Sequence, residues 1–159
     1  MKILVLSDSH GRTDMLQRMC ELHSDADLIL FAGDGISDMR CIDKYSERLV
    51  CVHGNCDVFS GAVRAPAVQM LTVEGKSLYL THGHHLNVKS GYSTVGYFAE
   101  ENGIDILVFG HTHLPFESCR ARADGGYVRL FNPGAVKDGS FGLIMIDGEN
   151  VLTSHGALK

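Results

Sequence analysis

The sequence predicts an α/β (α+β) domain in which two mixed β-sheets pack as a sandwich with helices on the outer faces. Three observations carry this expectation. Near-continuous apolar runs of strand length recur and end in polar clusters, as strands buried on both faces do. Segments of helix length lie between the earlier runs. Glycine-centred turns then punctuate the second half and read as antiparallel hairpins. Strand–helix units followed by hairpins point to two packed sheets rather than one open parallel sheet.

The elements follow in order. "KILVL" (2–6) leads into Ser7-Asp8-Ser9-His10. Residues 13–23 place Leu16, Met19, Cys20 and Leu22 at helical spacing, with Thr13 as the expected N-cap. "LILFA" (28–32) leads into Gly33-Asp34, and residues 38–47 form a second helical candidate. "RLVCV" (48–52) leads into His53-Gly54-Asn55, and "SLYLT" (77–81) into His82-Gly83-His84. A helix is expected over 92–102, before "DILVF" (105–109) and Gly110-His111-Thr112-His113. "VEGKS" (73–77), "ADGGY" (123–127) and "IDGEN" (146–150) supply the hairpin turns. No repeat or linker divides the chain, so residues 1–159 are read as one domain.

Composition narrows the function classes. The net charge of −5 and the lack of any Lys/Arg cluster argue against a broad nucleic-acid or membrane-binding face. Five cysteines form no C-x-x-C pair and no zinc-ribbon spacing, a pattern that a reducing compartment permits. The apolar run near the N-terminus is too short for a signal-peptide core or a membrane span. A cytoplasmic location is expected.

Metal-capable residues sit where the strand-like runs end. Asp8, His10, Asp34, Asn55, His82, His111 and His113 come from five separate segments. In α/β sheets the crevice beyond the carboxyl ends of strands binds ligands, so these seven residues are expected to converge. Two carboxylates, four imidazoles and one amide suit Mn²⁺, Fe²⁺, Zn²⁺, Ni²⁺ or Co²⁺ better than Mg²⁺ or Ca²⁺. Seven donors exceed the needs of one tetrahedral ion and match two ions sharing a site, roughly 3.5–4 Å apart in two-metal enzymes. The chemistry implied is metal-assisted hydrolysis of a phosphate ester. Any single histidine is more readily a loop or core residue, and His23, His53, His85 and His155 are read that way. The paired imidazoles of His111 and His113 have fewer purely structural uses.

The blocks "DSH" (8–10), "GD" (33–34), "GNCD" (54–57), "THGH" (81–84) and "GHTH" (110–113) occur in an order that resembles the calcineurin-like metallophosphoesterases. The cysteine of the third block and the later "NPGA" (132–135) resemble the compact YfcE-like branch of that family, which is related to the retromer sorting subunit of eukaryotes. The resemblance runs from Met1 to about Asp147. It implies a four-layer fold, a β-sandwich flanked by helices. It also implies a first ion held by Asp8, His10, Asp34 and His113, and a second held by Asp34, Asn55, His82 and His111, with Asp34 bridging. Catalytic roles fall on Asn55, His82 and His111. The implied reaction is phosphodiester hydrolysis by a hydroxide bridging two divalent ions, Mn²⁺ foremost. The alternative is a non-catalytic metal-binding scaffold for protein–protein interaction, like the retromer relatives. Degraded ligands would mark that state, and none of the seven is replaced. A nuclease would want a basic groove, so a small diester is the expected partner. Exposed hairpin edges leave room for a homo-oligomer, dimer or tetramer.

Further residues belong to the neighbourhood of the site. Asp38 and Asp57 are expected to order the ligands from behind. Arg12 is a candidate to pair a phosphate oxygen, and His84 and Asn132 are candidates to approach the substrate. Cys56 stands where much of the wider superfamily has a histidine that protonates the leaving group. A thiol, with an ordinary pKa near about 8.5, is a poor hydrogen-bond donor. A preference for good leaving groups is therefore expected.

Overall fold

A computed structural model describes residues 1–59 and 65–159. Its first sheet, in spatial order, is β10 (Asn150–Ala157), β9 (Ser140–Asp147), β1 (Lys2–Leu6), β2 (Leu28–Phe31) and β3 (Leu49–Cys51). Strands β1, β2 and β3 are parallel, while β9 runs antiparallel to both β1 and β10. The second sheet has the order β4 (Val68–Val73), β5 (Lys76–Thr81), β6 (Ile106–Val108), β8 (Tyr127–Pro133) and β7 (Pro115–Ala121). Its three central strands are parallel and its two edge strands antiparallel. Both sheets are mixed, as expected.

The apolar runs explain the layers. Successive strand residues point to opposite faces, and in β1 both faces are buried. Ile3 and Val5 face the second sheet, in a core with Leu30, Val52, Leu80, Val108 and Phe131. Leu4 and Leu6 face outward onto Met15, Leu16 and Met19 of helix α1 (Thr13–Leu22), and onto Ile42. On the far side Leu107, Phe109 and Leu130 pack against Val95 and Ala99 of helix α3 (Ser93–Glu101). The result is four layers, helix–sheet–sheet–helix. Among the described residues no helix is long and apolar enough to cross a membrane.

Three local expectations change. Helix α1 starts at Thr13 itself; Arg12 is the N-cap residue and makes no side-chain cap bond. Its buried stripe is Met15, Leu16, Met19 and Cys20, while Leu22 is 59% exposed. Met15 and Leu16 sit one turn before Met19 and Cys20, so the stripe closes on the sheet without Leu22. The candidate over 38–47 is a longer 3-10 segment, Ile36–Arg48, broken at Ile42. Its first turn is tied back to the loop after β1, because the Asp38 carboxylate accepts from Ser9 Oγ (2.6 Å) and the Gly11 amide (2.8 Å). The "NPGA" segment is where the chain leaves β8 of the second sheet and crosses to β9 of the first, turning at Gly134 (φ 80°).

Candidate metal centre

Strands β1, β2 and β3 are parallel within one sheet, as are β5 and β6 within the other, and the loops that follow them meet at one end of the sandwich. Within that meeting place Asp8, His10 and His113 form one cluster of donor atoms, and Asp34, His82 and His111 another. Asp34 also belongs with His10 and Cys56, so it joins the two clusters.

Each donor is aimed by specific contacts. Oδ2 of the buried Asp8 accepts from Ser7 Oγ (2.5 Å) and the His111 amide (3.0 Å). Its Oδ1 has no hydrogen-bond partner and faces His113 Nε2 at 3.1 Å and His10 Nε2 at 3.7 Å. Asp34 Oδ1 accepts from the Cys56 amide (2.8 Å), and Oδ2 faces His82 Nε2 at 3.3 Å and His10 Nε2 at 4.0 Å. His82 Nδ1 donates to the Ala32 carbonyl (2.7 Å), which leaves Nε2 as its free nitrogen, 3.2 Å from His111 Nδ1. A partner on one ring nitrogen sets which nitrogen remains for a metal. Asn55 opens helix α2 (Asn55–Phe59), with its amide oxygen buried and without a hydrogen-bond partner.

The backbone is strained at these same positions. Asp8, His10, Asp34, His111 and His113 have φ between 43° and 67°. Among the described residues only two other non-glycine residues, Glu74 and Asn87, share that sign. Such conformations cost of order 1–3 kcal/mol each and persist only where the surroundings hold them. Two glycines give the loops their clearance. A Cβ on Gly54 would lie 2.0 Å from Asp34 Oδ1, and one on Gly110 would lie 1.9 Å from Ser7 Oγ.

The other residues that the sequence singles out lie around these donors. The Asp57 carboxylate accepts from the amides of Asp34 (2.9 Å), Gly54 (2.8 Å), Gly35 (2.9 Å) and Ile36 (2.9 Å), which ties the loop after β2 to the loop after β3. Asn132 Nδ2 donates to the Gly110 carbonyl (2.8 Å) and to Thr112 Oγ1 (3.1 Å), holding the last block from below. Arg12 is turned to Asp14 through two bonds of 2.9 and 3.0 Å. The His84 ring lies 5.4 Å from that of His82 and 3.8 Å from that of His85, with Nδ1 buried and lacking a hydrogen-bond partner. His23 and His155 pack on Phe141 and Phe131, away from the donors. Ser7 and Thr112 escaped sequence reasoning; their only signal was adjacency to a ligand block.

The electrostatics follow from the crowding. Burial pushes the Asp8 carboxyl up, but His10, His113, His82 and Ser7 together hold it well below the usual carboxylate range. Asp34 is likewise drawn down to about 2, where burial is overcome by His82 and by Cys56. Contact with Asp8 raises His10, and for His82 the two carboxylates and the Ala32 carbonyl outweigh its burial. Burial and the neighbouring His82 push His111 down to about 4. Burial and Asp34 push the Cys56 thiol up to about 11.

These residues fit divalent cations. Two buried oxygens, Asp8 Oδ1 and Asn55 Oδ1, lack hydrogen-bond donors, and the ring nitrogens of His10 and His113 face each other at 3.4 Å. Buried polar atoms ordinarily have partners, and a cation supplies one to oxygens and imidazoles together.

A mixed two-sheet fold with such a cluster at its strand ends defines a metal-binding protein. Residues 1–149 match the model of the calcineurin-like phosphoesterase superfamily domain, and the chain belongs to that family. It is 33% identical over 139 residues to "Probable metallophosphoesterase YsnB" of Bacillus subtilis, covering 86% of this chain and 76% of that protein. It is 30% identical over 159 residues to "Phosphodiesterase YfcE" of Escherichia coli K12, covering 86% and 79%. A predicted phosphoesterase from Streptococcus pneumoniae TIGR4 has the same fold (TM-score 0.76, 22% identity, 98% of this chain and 88% of that one). So does Vps29 of Chaetomium thermophilum (TM-score 0.73, 20% identity, 98% and 95%). The family implies divalent metal ions, in keeping with the donor clusters.

Two predictions follow from this geometry. Asp57→Ala removes the acceptor of four amides and is expected to cost more than about 2 kcal/mol in urea unfolding, with loss of metal binding; wild-type stability in that variant would contradict the role given to Asp57. The second concerns pH. Without ions, the raised pKa values of His10 and His82 make their protonation stabilising below the unfolded value of 6.5, a contribution lost as pH rises through the folded values. Ions require both rings neutral, so apparent ion affinity is expected to climb with pH through neutrality, with protons released on binding. Calorimetry in buffers of differing ionisation heat would detect that release, and equal heats in all buffers would count against it.

Proposed function

We propose that this chain is a phosphodiesterase that works with two divalent ions, Mn²⁺ in the first instance, on small diesters. The observation that carries the reading is the placement of Asp34 between two donor clusters, with one carboxylate oxygen facing His82 on one side and His10 on the other. In this reading Asp8, His10, Asp34 and His113 hold one ion, and Asp34, Asn55, His82 and His111 hold the other. When bound, such ions supply Lewis-acid charge for the phosphate and lower the pKa of water to the range of a nucleophile. The chain's own part is to keep Asp8 and Asp34 ionised, His111 neutral and His82 turned by the Ala32 carbonyl. A scaffold without catalysis, as the Vps29 fold invites, has no need to keep all seven donors so aimed.

Protein stripped of metal is expected to be inactive on an aryl phosphodiester, to recover on addition of Mn²⁺, and to stay inactive as Asp34→Ala. Equal rates in the stripped, restored and substituted samples would leave the scaffold reading standing.

Cys56 supports a further expectation about the leaving group. The residue is exposed as a whole, but partial desolvation of the sulfur and the neighbouring Asp34 carboxylate hold its proton rather than poise it for transfer. General acid catalysis is typically worth about 10²–10⁴-fold, so without it rates are expected to fall steeply from nitrophenol to alkoxide leaving groups. A flat dependence, with the chemical step rate-limiting, would show that a proton donor exists elsewhere.

A further inference from the structure

Beside the candidate metal centre lies a groove of about 460 Å³, lined by Val88, Lys89, Gly91, Tyr92, Thr112 and Leu114. Thr112 stands between His111 and His113 in the chain, so the groove borders the candidate metal centre. Its volume lies within the roughly 300–1,000 Å³ of small-molecule sites. One wall is firm: Tyr92 stacks on Phe116 with centroids 3.8 Å apart and also packs on Phe109. The other carries Leu114, which is 64% exposed.

Lys89 gives the groove a charge. Around the donor clusters the other cations are matched, Arg12 by Asp14 and Lys137 by Asp138. Among the described residues Lys89 lines the groove with neither a hydrogen bond nor an ion pair. A larger cavity of about 620 Å³ lies at the opposite end of the second sheet, where β5 and β8 begin. Its cations Lys76, Arg122 and Arg129 each face a carboxylate, from Glu149, Asp105 and Glu117. Among the described residues that cavity's lining has no unmatched cation to offer a ligand.

We infer that the groove receives the ester arm that is not cleaved, and that Lys89 selects arms carrying an anionic group of their own between the apolar surfaces of Tyr92 and Leu114. This rests on the phosphodiesterase reading for its substrate class. A free ammonium beside a flat apolar wall is complementary to an aryl or other planar group bearing a carboxylate or phosphate. Lys89 is thus a specificity residue with no direct part in bond cleavage.

Two 4-nitrophenyl phosphodiesters test it, one with a 4-carboxyphenyl second arm and one with the neutral 4-carbamoylphenyl arm. Turnover by the Mn²⁺-loaded protein and calorimetric binding of both esters to the metal-free protein are measured for wild type, Lys89→Gln and Lys89→Arg. The carboxylate ester is expected to be favoured about two- to fivefold in kcat/KM and in affinity, the range of an exposed ion pair. That ratio should fall to about 1 in Lys89→Gln and persist in Lys89→Arg. Equal or undetectable binding of the two esters by wild type, or a preference that survives Lys89→Gln, would overturn the inference. Binding with the expected preference but no Mn²⁺-dependent turnover would instead overturn the phosphodiesterase reading and leave the groove's selectivity established.

Discussion

Four backbone amides converge on the carboxylate of Asp57, and the geometry of the donor cluster depends on that convergence. Two of the amides belong to Gly35 and Ile36, one to Asp34 and one to Gly54. Asp57 therefore holds the loop after β2 against the loop after β3, and in doing so sets where Asp34 and Asn55 stand. Charge-assisted bonds to backbone amides are stronger than neutral ones, and a nearly buried acceptor has no water to replace them. Asp38 does the same for the loop after β1, through Ser9 and Gly11, and Asn132 for the last block. Three polar side chains that face away from the cavity thus govern the ones that face into it.

That arrangement offsets a cost concentrated in the donors. Five of the seven adopt left-handed backbone conformations, which alone would favour glycine or asparagine. A left-handed residue reverses the chain sharply at the end of a strand and turns its side chain back over the sheet edge. The glycines beside the donors complete the device, since any side chain at Gly54 or Gly110 would occupy the space of Asp34 or Ser7. Strain, clearance and support are found together because each is needed for the other two.

Much of this architecture was legible in the residues. The apolar runs of β1, β2, β3, β5 and β6 announced themselves because burial on both faces requires near-continuous hydrophobicity, and the polar blocks after them marked the site. The glycine turns marked the hairpins. What could not be read was anything set by partners distant in the chain. The place of β8 between β6 and β7, the crossing of β9 to the other sheet, and the four amides on Asp57 leave no local signature. Thr13 carried the right chemistry for a cap, yet the helix begins one residue earlier than a cap there would require. Nothing in the spacing of Cys56 marks it as a ligand, yet its thiol lies within reach of His10 and Asp34, since α2 begins at Asn55 and presents its next residue to the same cavity.

The donors divide between the two sheets, because the chain passes from the first sheet to the second between β3 and β4. Asp8, His10, Asp34 and Asn55 are contributed by the first sheet's loops, while His82, His111 and His113 follow strands of the second. Each proposed ion set draws on both groups, so neither is whole in a chain that has been synthesised only as far as β3. During synthesis the early carboxylates wait for histidines that emerge tens of residues later. In the proposed reading, ions could be captured only once the two sheets have met.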